Sequence, residues 1–177
     1  MSILFASILL LAQAGAAHTE SQTAALKFTE PKGWVVKPPA SRMRLAEFTL
    51  PKAEGDAEDA ALAIYYFGGG GGSVQANLDR WIAQMSQPDG RASKDVAKTQ
   101  KLGATGLQIT LVDVPGTYVA EMSPGANERF NKPGFRLRAA VVEGKGGPYF
   151  VKLTGPAKTV GKWDESFLAF LKGLRVE

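Results

Sequence analysis

The side chains that most often carry out catalysis are scarce in this sequence. The chain of 177 residues contains one histidine, His18, and no cysteine. Ser-His-Asp and Cys-His sites need an imidazole base, and catalytic zinc is commonly bound by histidine. His18 precedes the segment that we expect to fold. The sequence therefore predicts no catalytic residue of these types, no metal site and no cofactor.

Two pairs of arginines with alternating spacing are the best candidates for a binding site. Arg136 and Arg138 are separated by one apolar residue, so both project from the same face of a predicted strand. Arg42 and Arg44 have the same spacing on an earlier strand. If the two strands are neighbours, the four guanidiniums form a patch suited to an anion or an acidic partner. The alternative is a solvated strand face whose arginines pair with nearby Asp and Glu.

Five consecutive glycines, residues 68–72, separate a predicted strand from a predicted helix. Exposed amides and helix N-termini attract anions, which makes a phosphate loop one interpretation. No Gly-Lys-Ser/Thr follows, and the spacing is not that of a dinucleotide fingerprint. A flexible connector is the favoured interpretation.

The acidic residues fall into two short groups. Residues 54–59 contain four carboxylates, but not in the register of a calcium-binding loop. Asp164 and Glu165 begin the last predicted helix, and we expect them on its solvated side. Ordinary surface charge is the favoured interpretation of both groups, with a carboxylate-dependent hydrolase as the alternative.

The elements that position these residues follow from the apolar pattern. Alternation and turn residues predict strands at 26–28, 34–36, 43–50, 60–67, 94–102, 106–114, 135–142 and 148–153, the first two forming a hairpin. A helix begins after Ser73, and a second, unbroken helix covers 160–174. Residues 60–67 are apolar on both faces, which predicts a central strand covered on both sides. The pattern predicts an α+β fold, an antiparallel β-sheet with two main helices packed on it.

The first sixteen residues predict a cleavable signal peptide. Residues 3–12 are apolar except for one serine, and small residues follow. Such a core is about half the length of a membrane-spanning helix, and Ala14-Gly15-Ala16 has the small-x-small pattern of signal peptidase sites. We expect cleavage after Ala16 or Ala17, a periplasmic or secreted protein, and no membrane span after cleavage. A retained N-terminal anchor is the alternative.

The remaining residues, 24–177, have the composition of one α+β domain. Hydrophobic residues make up 45% and charged residues 21% of the chain, which are ordinary globular values. The net charge of +4 is small for a nucleic-acid-binding protein, so we expect no nucleic-acid partner. No repeat or linker divides this segment.

Six segments carry a resemblance to known proteins, and they are MRLAEFTLP (43–51), EDAALAIYYFG (58–68), GSVQANLDRW (72–81), QPDG (87–90), VPGTY (114–118) and GPYFVKLTGPAKTV (147–160). Together they resemble a family of small uncharacterised exported bacterial proteins, over most of the chain after the signal peptide. This resemblance implies no activity and transfers no site residues. The order of elements is also similar to the PsbP/Mog1-like fold of photosystem II oxygen-evolving subunit P and the nuclear-import factor Mog1, which implies an accessory or binding role.

From these observations we expect an exported, non-enzymatic binding or accessory domain. Its ligand is an unknown protein or small molecule of the cell envelope, bound on the sheet or the loops. Two alternatives stay open, a hydrolase that uses carboxylates without histidine or cysteine, and a structural, envelope-associated protein. A deep pocket with convergent polar groups would favour the enzyme.

Overall fold

Most of the strands join in one antiparallel sheet. The computed structural model describes residues 26–104 and 106–177. The strands are β1 (Leu26–Lys27), β2 (Val35–Lys37), β3 (Arg44–Leu50), β4 (Ala60–Tyr66), β5 (Met85–Ser86), β6 (Lys98–Ala104), β7 (Leu107–Tyr118), β8 (Lys132–Glu143), β9 (Tyr149–Pro156) and β10 (Arg175–Val176). The helices are α1 (Val74–Ile82), α2 (Ser93–Val96), α3 (Ala157–Lys162) and α4 (Asp164–Gly173).

The sheet order is β2-β3-β4-β9-β8-β7-β5, and β6 also pairs with β7. Short connections join β3 to β4, β6 to β7 and β8 to β9, which is why these neighbours are antiparallel. The predicted α+β class is confirmed, with α1 and α4 as the two main helices.

Alternation along the strands divides the apolar residues between two cores. On β9, Val151 and Leu153 belong to the core beneath α4, together with Phe167. Phe150 points the opposite way and belongs to the core beneath α1, together with Trp81. We call these two sides of the sheet the α4 face and the α1 face. Lys152 shares the α1 face with Phe150, because residues two apart on a strand project to the same side.

Helix α1 covers only part of its face. It packs on β7 and β8, and its Trp81 also contacts Phe150 of β9. Among residues 26–104 and 106–177, no helix covers the same side of β2, β3, β4 and the rest of β9. We call this uncovered side of the four strands the open face. Val35 and Ala61 are exposed there. Strand β4 is central, as predicted, but on the α1 face the predicted cover holds at the buried Ala63 and fails at the exposed Ala61.

Three predictions about single elements are also wrong. Strand β1 pairs with β10 and not with β2, and Leu26 lies opposite Val176, near the other end of the chain. Residues 93–96 form the short helix α2 instead of the beginning of a strand. The last helix is interrupted at Trp163, whose indole donates a 2.9 Å hydrogen bond to the Pro51 carbonyl and thereby holds the break against the loop after β3.

The predicted signal peptide, residues 1–16, lies outside the described residues. Among the helices that the structure does describe, none is long and apolar enough to cross a membrane.

Candidate functional site

The structure brings Arg136 and Arg138 together on the α4 face. Arg136 is 2.5 Å from Asp113 of β7 and 2.9 Å from Asp164, the first residue of α4. Arg138 shares the same two carboxylates, at 3.5 Å and 2.7 Å, and its guanidinium lies 5.1 Å from the centre of the Phe167 ring. The hydrogen bond from Arg136 to Asp113 raises the pKa of that guanidinium, with a smaller contribution from Asp164. Two cations and two anions compensate each other, so this cluster joins α4 to the sheet.

Asp164 was predicted on the solvated side of its helix, and that prediction is wrong. The carboxylate faces the sheet because it accepts hydrogen bonds from both arginines. The interpretation that these arginines pair with nearby acidic residues is confirmed, although Arg138 is buried and not solvated.

The other two arginines lie elsewhere. Strands β4 and β9 separate β3 from β8, and Arg44 projects from the α1 face, over the Tyr65 ring and 2.9 Å from Glu47. Arg42 lies in the exposed turn before β3. The predicted patch of four guanidiniums does not form, because its strands are not neighbours and Arg44 lies on the face opposite Arg136 and Arg138.

The α1 face instead carries a lysine in a row of small residues. Across the sheet, Lys152 lies between Ala63 of β4 and Ala139 of β8, and Glu47 of β3 follows beyond Ala63. Both alanines are buried, and Lys152 lies at the margin of the open face, next to the part of the sheet that α1 covers. The lysine is partly buried.

Two side chains from distant segments contact the lysine. The Nζ atom of Lys152 donates to Gln84 Oε1 at 2.5 Å and to Tyr118 Oη at 2.9 Å. Nζ also lies 5.1 Å from the centre of the Tyr118 ring. Within the described residues, no carboxylate forms an ion pair with Lys152. We call Lys152, Tyr118 and Gln84 the donor triad.

The backbone around the triad fixes its geometry. Gln84 follows the C-terminal end of α1, and its carbonyl accepts a 2.8 Å hydrogen bond from the Val119 amide. Tyr118 ends β7 just after an irregularity in the β7–β8 register, and its ring stacks on Phe130 and Phe135. The side chains of Gln84, Tyr118 and Lys152 are therefore held together by backbone hydrogen bonds of their segments as well as by their own contacts.

The electrostatics of the triad follow from burial without a counter-ion. Burial lowers the pKa of Lys152 to about 8, and the charges of Arg80 and Arg44 add to this effect. Burial also raises the pKa of Tyr118 to about 12, with a further contribution from Tyr65. At neutral pH the lysine is mostly an ammonium group and the tyrosine keeps its hydroxyl proton.

Sequence reasoning missed the triad. Gln84, Tyr118 and Lys152 are widely spaced along the chain, and nothing in their local sequences joins them. One signal was available: Lys152 interrupts the apolar run of β9, and a charged residue inside a buried strand is uncommon.

The glycine run is a packed loop and not a free connector. Gly69 and Gly71 have positive φ values of 87° and 114°, which favour glycine. A Cβ on Gly71 would lie 2.6 Å from the Phe150 ring. Asn77 donates to the Gly71 carbonyl at 2.8 Å and ties the loop to α1, which begins with the predicted Ser73 cap. A phosphate-binding role for this loop has no support beyond its backbone amides.

The acidic loop 54–59 has a structural role at Asp56. Its carboxylate accepts hydrogen bonds from the amide and the hydroxyl of Thr159, at 2.8 and 2.5 Å, in the first turn of α3. Within residues 26–104 and 106–177, no three His, Cys, Asp or Glu side chains lie close enough to hold a metal ion.

Replacing Lys152 by Met is expected to stabilise the protein by about 2 kcal/mol at pH 6.5, because it removes a partly buried ammonium group that has no counter-ion. A lysine pKa of about 8 in the folded state lies below the usual value near 10.4 in the unfolded chain. Between these values the unfolded chain binds more protons, so the stability of the wild type rises with pH and the advantage of K152M shrinks toward pH 10. Urea unfolding at pH 6.5, 8 and 9.5 measures this. K101M, on exposed β6, is the matched control, and an equal pH trend in both variants would contradict the assignment.

The fold and this site together define a single α+β domain whose antiparallel sheet is covered by α1 over only half of one face. No family model matches the chain, and no curated protein matches its sequence. Among solved structures, the chain is similar to the crystal structure of PA94, a protein of unknown function from Pseudomonas aeruginosa. The identity is 13% and the TM-score 0.47, over 78% of this chain and 94% of that chain. The resemblances to exported bacterial proteins and to the PsbP/Mog1-like fold stay predictions.

Proposed function

We propose that the protein is an exported, non-enzymatic binding domain that docks an acidic surface of a protein partner on the open face of its sheet. The observation that carries this proposal is the uncovered α1 face of β2, β3, β4 and β9. A sheet normally buries its apolar faces against other elements, and a sheet side without a cover is available to a partner. The exposed Val35 and Ala61 and the partly exposed Lys152 supply a contact surface.

The charge of the surface favours an acidic partner. Lys37, Arg44 and Lys152 lie on the open face and Arg80 borders it, whereas Glu47 is the acidic residue between them. Glu47 is already paired with Arg44 at 2.9 Å. The excess of positive charge increases the association rate with an acidic partner and disfavours basic ones.

The contacts of the buried carboxylates do not favour the hydrolase alternative. A carboxylate pair that acts as general acid and base needs oxygens free to reach the substrate. Asp113 and Asp164 are the two carboxylates that approach each other beneath α4, and their oxygens accept from Arg136 and Arg138. Asp56 is engaged by Thr159. A binding role requires none of these groups.

The experiment that tests the proposal is photo-crosslinking in the cell that produces the protein. A photo-reactive amino acid replaces Ala61 or Thr49, which lie on the open face, or Gln100 on β6 at the opposite edge of the sheet as the control. We expect the same discrete protein adduct from the first two positions and none from the third. The purified partner should then bind the wild-type chain and bind A61E at least tenfold more weakly, because like charges would face each other.

Three outcomes would contradict this function. Adducts from Gln100 alone, or no adduct from Ala61 and Thr49, would show that the open face is not the docking surface. Adducts of equal yield from all three positions, in the envelope fraction, would favour a structural envelope protein. Reproducible hydrolysis of a substrate panel, abolished by one carboxylate substitution, would favour the enzyme.

A further inference from the structure

We propose that the donor triad is a carboxylate-binding site, in which Lys152 Nζ, Tyr118 Oη and Gln84 Nε2 together hold one carboxylate group of the ligand. This inference rests on the proposed function and deepens it, because it names the chemical group that the open face recognises and the three side chains that contact it.

Each side chain of the triad has a hydrogen-bond donor left without an acceptor. An ammonium group has three donors, and Lys152 uses two of them, to Gln84 Oε1 and Tyr118 Oη. Because the Tyr118 oxygen accepts from the lysine, its own hydrogen is free to donate. Because the Gln84 oxygen accepts as well, its NH₂ group is left as a donor. Among the described residues, no acceptor hydrogen-bonds to any of these three donors.

All three side chains are partly buried and partly accessible. These residues are therefore not fully enclosed in the core, and a ligand would approach them from the open face. Three donors that converge without an acceptor attract a group that has acceptors only. An ionised carboxylate is such a group, since its two oxygens offer about four lone-pair positions.

The charge at the site also favours an anion. No carboxylate pairs with Lys152 within the described residues, and Arg80 and Arg44 are the charged groups whose fields reach it. A partly buried ammonium without a counter-ion is unfavourable, and the low pKa of this lysine reports that cost. A bound carboxylate would supply the missing negative charge and form charge-assisted hydrogen bonds.

The composition of the triad favours carboxylate over phosphate. Phosphate sites in proteins characteristically use arginine forks, backbone amides and more than one positive charge. At the triad the side chains that converge are one lysine and two neutral groups. Lys152 is the single cation of the triad, which matches the single negative charge of a carboxylate.

Carboxylates come from two sources with the same chemistry, an acidic side chain of a protein partner and a free small acid. The test therefore uses the full chain at pH 6.5 with four probes: an acetyl-hexaglutamate amide, its hexaglutamine counterpart, succinate and inorganic phosphate. Binding is followed by calorimetry and by the ¹⁵N amide shifts of residues 84, 118 and 152.

The variants are K152Q, Y118F and the control K101Q, which removes the same charge from exposed β6. We expect the glutamate peptide or succinate to bind the wild type and to shift the three amides. K152Q should bind at least tenfold more weakly, Y118F a few-fold more weakly, and K101Q as the wild type does. Binding of the peptide assigns the carboxylate to a protein partner, whereas binding of succinate alone assigns it to a small acid.

The inference is overturned if neither carboxylate probe binds, or if K152Q and K101Q weaken binding equally. It is also overturned if the glutamine peptide binds as well as the glutamate peptide, or if phosphate binds more tightly than both acids. These outcomes are distinguishable from failure of the proposed function. Specific crosslinks at Ala61 without carboxylate binding would leave the docking surface intact and remove the ligand class. Carboxylate binding at Lys152 without crosslinks would retain the triad and remove the protein partner.

Discussion

Replacement of Arg138 by Met is expected to lower the free energy of unfolding by about 3 kcal/mol. The Arg138 side chain is 5% exposed and is held by Asp164 at 2.7 Å and by Asp113 at 3.5 Å. Its loss leaves two carboxylates with Arg136 as their single cation, and removing one partner of a buried ionic network leaves charge uncompensated. The guanidinium also packs over Phe167 of α4, so the attachment of that helix weakens as well.

Urea unfolding followed by circular dichroism measures this effect. The matched control is R129M, since Arg129 pairs with Glu121 at 3.7 Å on the surface, with both side chains more than 40% exposed. An exposed pair contributes at most about 1 kcal/mol. A cost for R138M no larger than that of R129M would contradict the buried-network assignment.

The same variant separates this cluster from the binding surface. Arg138 lies on the α4 face and Lys152 on the α1 face of the sheet. Below its unfolding transition, R138M should therefore bind the carboxylate probes as the wild type does. Loss of binding in R138M but not in K152Q would return the anion site to the α4 face, where the spacing of Arg136 and Arg138 first suggested a patch.

Replacement of Gly147 by Ala is the second large effect, expected to cost about 3 kcal/mol. Gly147 has a φ of 105°, and a Cβ there would overlap the Gly69 Cα atom. The positive φ alone costs about 1–2 kcal/mol for an alanine. The contact is with backbone, which cannot rotate away, so the loop 68–72 must shift as well.

Gly68 provides the matched control, because it lies in the loop 68–72 that Gly147 contacts. It has a φ of 62°, and a Cβ there would meet nothing within 4 Å. G68A should therefore show the backbone cost alone, about 1 kcal/mol, and the difference from G147A in urea unfolding isolates the steric contact. Equal costs for the two variants would mean that the loops do not pack against each other as described.

Two features that depend on neighbouring residues were predicted correctly from the sequence. Ser73 was predicted to cap α1, and its side chain accepts the Ala76 amide as a helix cap does. The alternation that placed Arg136 and Arg138 on one side of β8 was also correct. Hydrogen bonds and side-chain directions at these positions are set within a few residues of the chain.

Features that depend on strand order were not predictable in this way. The pairing of β1 with β10 joins the two ends of the described chain. Arg44 and Arg138 could not be assigned to opposite faces, because alternation orders residues within a strand but does not say which strands are neighbours. The interruption at Trp163 depends on the Pro51 carbonyl, which is 112 positions away.

The donor triad shows the same division most clearly. An alternating pattern places Lys152 on the face of β9 opposite Val151 and Leu153, and this much is local. Its contacts with Gln84 and Tyr118 span 68 and 34 positions and require the chain to return twice to the same place. Burial without a counter-ion, which lowers the pKa of this lysine, is a property of that convergence. Residue types and local geometry follow from the order of the amino acids, whereas the solvent exposure and charge environment of the site come from long-range packing.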